Sequence, residues 1–183
     1  DFTLHTQNAN VDIIPNDDRY TATTKTLLDA VMLGINAYKI ILQELSGFYD
    51  YIIFDCRPAV DNEIAQVMRA VQYLMIPVNA ADDSVDGVDT VLGYASKIRN
   101  SNPELCVAGI FFESINMRTA VAHDYVPQIR QKYAPLILDT IVPHSEDAHK
   151  AEARHLPVTE AYPSGKATRA YSKLVEEVLN RIG

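Results

Sequence analysis

Short apolar runs alternate with longer stretches of helical period along this chain of 183 residues. The runs are rich in isoleucine and valine and barely alternate with polar residues, which is typical of strands buried on both faces of a sheet. They span residues 11–15, 51–55, 73–78, 106–112 and 136–143, with a weaker sixth run at 157–162. The pattern therefore predicts five buried strands and a weaker sixth.

Between these runs, apolar residues recur at steps of three and four, which predicts amphipathic helices. The helical stripes lie within residues 27–45, 64–71, 85–98, 119–133 and 171–182. Asp61 suits the N-cap of the second helix, and Pro127 predicts a start or a kink in the fourth. The last helix has one continuous apolar face, which indicates a packing helix rather than a membrane-targeting tail.

Strands and helices that alternate at this spacing indicate βαβ units. We therefore expect an α/β fold in which a doubly wound, mostly parallel sheet is flanked by helices. The sequence contains no internal repeat, low-complexity tract or linker. Residues 1–183 are accordingly predicted to form a single domain.

Composition narrows the classes of function. The net charge is −8 and the pI is near 5.0, so no global positive field attracts nucleic acid or an anionic membrane. No apolar stretch approaches the ~20 residues of a membrane helix. Cys56 and Cys106 each adjoin an apolar run without metal-like spacing, and we expect both to be buried free thiols.

The segment YDYIIFDCRPAVD at residues 49–61 ends an apolar run with an acid, Asp55. Aspartate is common at turns, so this ending has an ordinary explanation. Alternatively, parallel α/β sheets carry their chemistry at the carboxyl ends of their strands, and a carboxylate there suits Mg²⁺ and water positioning in phosphoryl transfer. The predicted strand ends at 77–78, 112–113 and 143–144 would share that edge.

Four ordered blocks carry a resemblance to a known family. They are YDYIIFDCRPAVD, LMIPVNAADDSVDGVDTVL, GIFFESINMRT and IVPHSEDAHKAEARHLPVTEAYPSGKATRAYSKLVEEV. In order and spacing they resemble the ParA/Soj/MinD family of deviant-Walker P-loop ATPases, nearest to the ParA/Soj partition branch. The resemblance runs from residue 11 to the end and implies a P-loop NTPase-like fold.

The resemblance also implies roles for individual residues. Asp55 falls at the Walker B acid, which acts through Mg²⁺ and its water shell. Arg57 and Pro58 fall in the switch segment, where Arg57 replaces the first proline of the family's Asp-Cys-Pro-Pro. Arg57 could serve as an arginine finger or form an ion pair with Asp55, and both interpretations stay open.

Nucleotide contacts are implied at the later strand ends. Pro143 and Ser145 fall where the family places a Pro-Arg-Asn stretch beside adenine, although His144 and Ser145 depart from that pattern. Glu113 stands where a small polar residue or asparagine is usual. Arg118 matches an arginine a few residues beyond the same strand.

The family's glycine-rich phosphate loop has no counterpart in this sequence, which contains no GxxxxGK pattern. Two explanations compete. The chain is the C-terminal part of a longer ATPase, as its opening without methionine favours, or it is a homologue that has lost ATP chemistry. In either case we expect this chain alone to bind ATP poorly and not to hydrolyse it, whereas the longer parent protein would use ATP and Mg²⁺.

The family resemblance implies partners as well. They are an ATP-dependent homodimer, nonspecific DNA and a ParB-like centromere-binding protein, in the bacterial cytoplasm at the nucleoid, with no membrane association. A locally basic stretch could contact DNA or could be ordinary solvated charge, and it comprises Lys150, Arg154, Lys166, Arg169 and Lys173. DNA binding by this chain alone is expected to be weak.

Other functions remain open from the sequence. The chain could be a non-catalytic interaction module of the same fold, or a different doubly wound binder of nucleotide or phosphate. The histidines at 144, 149 and 155 lie near Glu146, Asp147 and Glu152, which could suggest a metal site. Their spacing is irregular for zinc, so a solvated polar face is the favoured interpretation.

Overall fold

The computed structural model describes residues 3–15, 36–57, 61–80 and 84–183. Two compact units are distinguished along the chain, Asp1–Ile53 and Phe54–Gly183. The single domain over residues 1–183 stays a prediction. None of the helices in the described ranges is both long and apolar enough to cross a membrane.

The first unit contains a small hairpin and one helix. Strand β1 (Leu4–His5) pairs antiparallel with β2 (Asp12–Ile13), and helix α1 spans Ala37–Leu45. Asn36 caps α1, because its side chain accepts the backbone N–H groups of Tyr38 and Lys39. The predicted strand at 11–15 is thus present but short. The predicted helical stripe at 27–45 is confirmed from residue 37 onward, and residues 27–35 lie outside the described residues.

The Asp12 carboxylate fastens the hairpin to the segment after α1. It accepts a hydrogen bond from the Tyr49 hydroxyl at 2.7 Å and contacts His5 Nδ1 at 2.8 Å. These hydrogen bonds, first from Tyr49 and then from His5, lower the pKa of Asp12. Asp12 and Tyr49 are 37 residues apart, so this hydrogen bond links the hairpin to the segment that follows α1.

The second unit is built on a three-stranded parallel sheet with the order β3-β4-β5. Its elements follow one another as α2 (Asn62–Met68), β3 (Tyr73–Val78), α3 (Ser84–Ile98), β4 (Cys106–Ile115), α4 (Ala120–Lys132), β5 (Ile137–Pro143), α5 (Glu146–Glu152), α6 (Val158–Ala161) and α7 (Lys166–Ile182). Because every strand runs in the same direction, all three carboxyl ends lie at one edge of the sheet.

Alternate residues of the strands face two separate apolar layers. On one face Ile110 and Phe112 of β4 are fully buried against Val88 of α3 and Val126 of α4. On the other face Leu138 and Val142 of β5 pack against Leu174 of α7. Helices therefore cover both faces of the sheet, as the continuous apolar runs predict. The α/β fold with a parallel sheet flanked by helices is confirmed.

On the face of the sheet that α7 covers, the central strand β4 has a glycine, Gly109, where a larger residue would not fit. A Cβ placed on Gly109 would lie 2.7 Å from the Leu138 side chain of β5, closer than two carbon atoms can approach. Helix α7 also binds the backbone of strand β5, because the Glu177 carboxylate accepts the N–H groups of Asp139 and Thr140. Burial alone would raise the pKa of Glu177, but these two donors and the nearby Arg181 together lower it.

Side chains fix both ends of helix α2. The Asp61 side chain accepts the Ile64 N–H at 3.0 Å, which confirms the predicted N-cap. At the other end, the buried Asn102 amide donates to the carbonyls of Met68 and Val71 at 2.9 and 2.8 Å. Asn102 therefore ties the end of α2 to the turn after α3.

Two predictions about elements are wrong, and one is only partly tested. Residues 51–57 form no helix or strand, and Ile53 is 89% exposed, so the predicted buried strand at 51–55 is absent. The weaker run at 157–162 contains the short helix α6 instead of a strand. Pro127 lies inside α4, whose N-cap is Thr119, so the helix start is excluded and the alternative of a kink stays a prediction.

The prediction that both cysteines are buried is also wrong, because Cys56 and Cys106 are exposed. Cys106 is the first residue of β4 and lies at the amino end of the strand rather than inside it. Cys56 lies in the segment that forms no strand. An adjoining apolar run therefore did not imply burial of either thiol.

Candidate functional site

A cavity of about 460 Å³ opens at the carboxyl ends of the three parallel strands. Its walls come from the ends of β3, β4 and β5 and from helices α5 and α7. The lining includes Val78, Asn79, Glu113, Pro143, Ser145 and Tyr171. The edge that the sequence predicts for the strand ends at 77–78, 112–113 and 143–144 therefore holds a concave site, as is usual for α/β sheets.

Glu113 and Tyr171 form a polar pair in this cavity. The Tyr171 hydroxyl donates a hydrogen bond of 3.0 Å to Glu113 Oε1. Burial, and secondly this hydrogen bond, raise the pKa of Tyr171 to about 12. Tyr171 therefore keeps its proton throughout the neutral range and remains a donor to the Glu113 carboxylate.

The end of β4 departs from regular strand geometry beside this pair. Ser114 has a φ of 54°, in the left-handed region that few residues other than glycine adopt, and the β4–β5 register shifts between Phe112 and Ile115. In a regular strand, consecutive side chains point to opposite faces. Here both Glu113 and Ser114 line the cavity, so the irregularity turns two successive residues toward one site.

His149 and Glu152 of α5 also line the cavity, and His144 lies next to His149. His144 Nδ1 is 3.1 Å from Ser114 Oγ, and the rings of His144 and His149 lie 5.4 Å apart. His149 Nδ1 is 3.8 Å from Glu152 Oε2, one helical turn away on α5. Even so, no group of three or more metal-ligating side chains in the described ranges could hold a metal ion.

Pro143 and Ser145 lie where β5 passes into α5, and both line the cavity. Ser145 occupies the N-cap position of α5 with extended backbone angles, but its side chain makes no capping hydrogen bond. Of the nucleotide-contact residues that the family resemblance implies, the structure thus brings Glu113, Pro143 and Ser145 together. The fourth, Arg118, is exposed in the turn before α4, where its N–H donates to Asn116 Oδ1, and it does not line the cavity.

Asp55 is exposed in the segment without regular structure and does not line the cavity. Partial burial raises the pKa of the neighbouring Cys56 thiol, and the negative charges of Asp55, Glu63 and Asp61 raise it further. Mg²⁺ is commonly bound through one or two carboxylates together with substrate phosphates. A single exposed carboxylate at Asp55 fits that pattern.

Arg57 forms ion pairs, although not with the residue that the sequence suggested. Its Nη2 lies 2.8 Å from Asp61 Oδ2 and 3.3 Å from Glu63 Oε2. Both partners belong to the start of α2, so Arg57 fastens the segment before that helix. Pro58, the other predicted switch residue, lies outside the described residues.

The basic stretch is exposed, and some of its charges have local partners. Lys150 Nζ is 3.4 Å from Glu146 Oε2, and Arg169 Nη1 donates to the Ser164 carbonyl. Arg154 and Lys166 are exposed at the surface. The arrangement is compatible with solvated charge and with contact to a polyanion, so the DNA-contact residues stay a prediction.

Sequence reasoning missed several residues of the cavity. The apolar pattern of the last helix includes Tyr171 without indicating a polar contact, and the sequence around Ser114 gives no sign of its left-handed backbone. Asn79 follows β3 as Glu113 follows the apolar run of β4, so the rule of strand ends could have found it. The partner of Glu113 could not be found that way, because Tyr171 is 58 residues away.

Solved structures with the same architecture show which fold this chain has. The chain superimposes on the apo McdA structure from Cyanothece with a TM-score of 0.78, at 19% identity, over 100% of this chain and 72% of that one. It superimposes on MinD from Pyrococcus horikoshii in complex with Mg-ADP with a TM-score of 0.72, at 20% identity, over 97% and 67% of the two chains. The fold is thus that of the P-loop NTPase-like proteins.

The family follows from the sequence comparison. The AAA_31 family model, described as an AAA domain, matches residues 1–107, which is more than half of the chain. The chain belongs to this family and, with it, to the ParA/Soj/MinD group of deviant-Walker ATPases.

Two relatives indicate how much of a family member the chain represents. An uncharacterized protein from Methanocaldococcus jannaschii is 27% identical over 177 residues, which cover 96% of this chain and 68% of that protein. The chromosome-partitioning ATPase Soj of Treponema pallidum is 27% identical over 146 residues, which cover 79% of this chain and 58% of that protein. The chain thus matches little more than half of the Treponema relative.

Proposed function

We propose that this chain is the C-terminal part of a ParA-type ATPase that acts in plasmid or chromosome partitioning. The observation that carries the proposal is the cavity at the carboxyl ends of β3, β4 and β5 in a chain of this family. In α/β sheets such cavities receive nucleotides. The relative from Treponema pallidum is named as a chromosome-partitioning ATPase, which supports the partitioning role.

The residues divide into two groups in this proposal. Pro143, Ser145 and Glu113 surround the base of ATP, and Arg118 approaches the nucleotide from the turn before α4. Asp55 would hold Mg²⁺, with Arg57 and Pro58 in the segment that responds to the nucleotide. Mg²⁺ supplies positive charge that offsets the charge developing on the phosphates. The longer protein, with ATP, forms the homodimer that meets DNA and a ParB-like partner.

Filling the cavity tests this function directly. In the longer protein, Ala148→Phe introduces a ring into the cavity lining from α5, and we expect ATP affinity to fall about tenfold or more because the base is displaced. The affinity is measured by titration calorimetry with Mg-ATP. Ala153→Phe is the matched control, because Ala153 caps the same helix but is exposed and does not line the cavity. Unchanged ATP affinity in Ala148→Phe would contradict the nucleotide site.

Charge reversal tests the proposed DNA contact. Lys166→Glu combined with Arg169→Glu should weaken ATP-dependent binding of nonspecific duplex by the longer protein, equally for all sequences, because phosphate contacts carry no sequence information. Each lost phosphate contact should also reduce the slope of log K against log salt by about 0.9.

The double substitution Lys39→Glu with Lys97→Glu makes the same change in net charge at exposed lysines of α1 and α3. Electrophoretic mobility shifts at several salt concentrations measure both pairs. An equal loss of binding in the two double variants would assign the effect to net charge alone and would remove Lys166 and Arg169 from the contact.

One observation favours a second candidate, a non-catalytic interaction module of the same fold. Asp55 lies in a segment that forms no strand in the structure, whereas the metal-binding acid of an ATPase with this fold is expected at a strand end. The two candidates differ in turnover. A longer protein that binds its partner but shows no hydrolysis of Mg-ATP, with or without DNA, would favour the interaction module.

A further inference from the structure

Two carboxylates line the cavity, and the charge of its lining limits the ligand that it can take. Among the described residues around it, Glu113 and Glu152 are acidic, His149 is a histidine, and none is a lysine or an arginine. Like charges repel, so these walls disfavour a phosphate group inside the cavity. Carboxylates accept hydrogen bonds, so the same walls favour an uncharged group that carries N–H donors. In a nucleotide, that group is an amino-substituted base.

Glu152 and His149 contribute little to the choice between such ligands. Their side chains are 83% and 65% exposed, and His149 Nδ1 lies 3.8 Å from Glu152 Oε2. A hydrogen bond from a ligand to either side chain replaces a hydrogen bond to water, which leaves only a small net difference between one ligand and another. Selection by hydrogen bonding is therefore expected from Glu113, the less exposed of the two carboxylates.

Glu113 is also held in position by a side chain from another layer of the fold. Its Oε1 accepts the Tyr171 hydroxyl at 3.0 Å, and Tyr171 belongs to α7, which packs on the sheet through Leu174. Tyr171 remains a donor at neutral pH, because burial and this hydrogen bond raise its pKa. An ionised carboxylate has about four lone-pair sites and no donor, so one hydroxyl leaves Glu113 free to accept further hydrogen bonds.

We propose that Glu113, oriented by Tyr171, accepts a hydrogen bond from the 6-amino group of adenine and makes the base site selective for purines that carry this group. The inference rests on the proposed function for the presence of the base in the cavity. The asparagine that the family resemblance implies at this position can turn either a donor or an acceptor toward a base, whereas an ionised carboxylate only accepts. A purine without the 6-amino donor therefore loses a charge-assisted hydrogen bond, which is the stronger kind.

Titration of the whole chain with adenosine 5′-monophosphate and with purine riboside 5′-monophosphate tests the inference. The second compound has hydrogen in place of the 6-amino group and is otherwise the same, so the difference in affinity reports on that group. Chemical-shift changes in the two-dimensional NMR spectrum of the labelled chain measure the affinities and locate the site. We expect the adenosine compound to bind about tenfold tighter, the effect of one charge-assisted hydrogen bond, with shifts concentrated at residues 113–114 and 142–149.

Three variants assign the preference to Glu113 and Tyr171. Glu113→Ala removes the acceptor and should make the two affinities equal, by weakening the adenosine compound alone. Tyr171→Phe should reduce the preference without abolishing it, since the carboxylate remains but loses its fixed orientation. Glu176→Ala makes the same substitution at an exposed position of α7 outside the cavity and should leave the preference unchanged. The dispersion of each NMR spectrum shows whether the variant is folded.

The outcomes separate this inference from the function on which it rests. Equal affinity of the unaltered chain for the two nucleotides, with shifts at the cavity, would overturn recognition of the amino group while leaving a base in the cavity. A preference that survives Glu113→Ala, or that Glu152→Gln abolishes instead, would overturn the role of Glu113. An unchanged preference in Tyr171→Phe would overturn the orienting role of Tyr171. Binding of neither nucleotide at millimolar concentration, or shifts confined to residues outside the cavity, would overturn both the recognition and the proposed base site.

Discussion

Replacing Asp55 with alanine in the longer protein is expected to lower ATP hydrolysis about a hundredfold or more. A bound divalent cation stabilises the charge of a phosphoryl transition state by several kcal/mol, and each 1.36 kcal/mol corresponds to a factor of ten in rate. A methyl group cannot hold the cation or its water. The fold should be unaffected, because Asp55 is exposed and belongs to no helix or strand. Steady-state release of phosphate, followed over a series of Mg²⁺ concentrations, measures the effect.

Asp50 provides the matched control for this prediction. It is an exposed aspartate five residues earlier in the chain, so Asp50→Ala removes the same group and the same charge. We expect Asp50→Ala to hydrolyse ATP at the wild-type rate. An Asp55→Ala variant with wild-type turnover and an unchanged dependence on Mg²⁺ would remove Asp55 from the mechanism. Equal losses in both variants would point to the general charge of the segment instead.

The strands of the sheet were predictable because burial on both faces leaves a strong pattern. β3 spans the predicted residues 73–78, β4 begins at the predicted Cys106, and β5 ends at the predicted Pro143. The N-cap at Asp61 was predictable for a local reason, since the group it satisfies is only three residues away. The N-cap depends only on neighbouring residues of the chain, and the buried strands depend on an apolar environment on both faces of the sheet.

The failed predictions concern segments whose structure depends on distant partners. An apolar run becomes a strand only where another strand offers a row of N–H and C=O groups, and composition does not report that partner. Residues 51–55 have the composition of a strand but are not assigned to one. Residues 158–161 form a helix, near which Thr168 Oγ1 on α7 contacts the carbonyls of Val158 and Tyr162. This contact joins two different helices, so it produces no hydrophobic periodicity within residues 157–162 from which the helix could be predicted.

The candidate site divides in the same way. The rule of strand ends indicated Glu113 and Pro143, and the family resemblance indicated Ser145; all three line the cavity. The rule could not indicate that Ser114 turns toward the same cavity, because its left-handed backbone has no signature in a serine. It also could not pair Glu113 with Tyr171, because Tyr171 lies 58 residues later in the chain, on helix α7. The pairing is what converts a carboxylate at a strand end into an oriented acceptor.

The second large effect is expected from Phe112→Ala, which should destabilise the chain by about 3–5 kcal/mol. Phe112 is fully buried in the layer that α3 and α4 form on the sheet, and the Arg130 guanidinium lies 5.5 Å from its ring. Its truncation removes apolar contact and leaves a cavity in that layer. Since domains of this size are stable by only about 5–15 kcal/mol, a large fraction of the total would be lost.

Urea denaturation followed by circular dichroism measures this change in the free energy of unfolding. Phe48→Ala is the control, because the same side chain is truncated where it is 82% exposed, and it should change stability by no more than about 0.5 kcal/mol. A Phe112→Ala variant as stable as Phe48→Ala would mean that the layer between the sheet and α3 and α4 is not the core of the second unit.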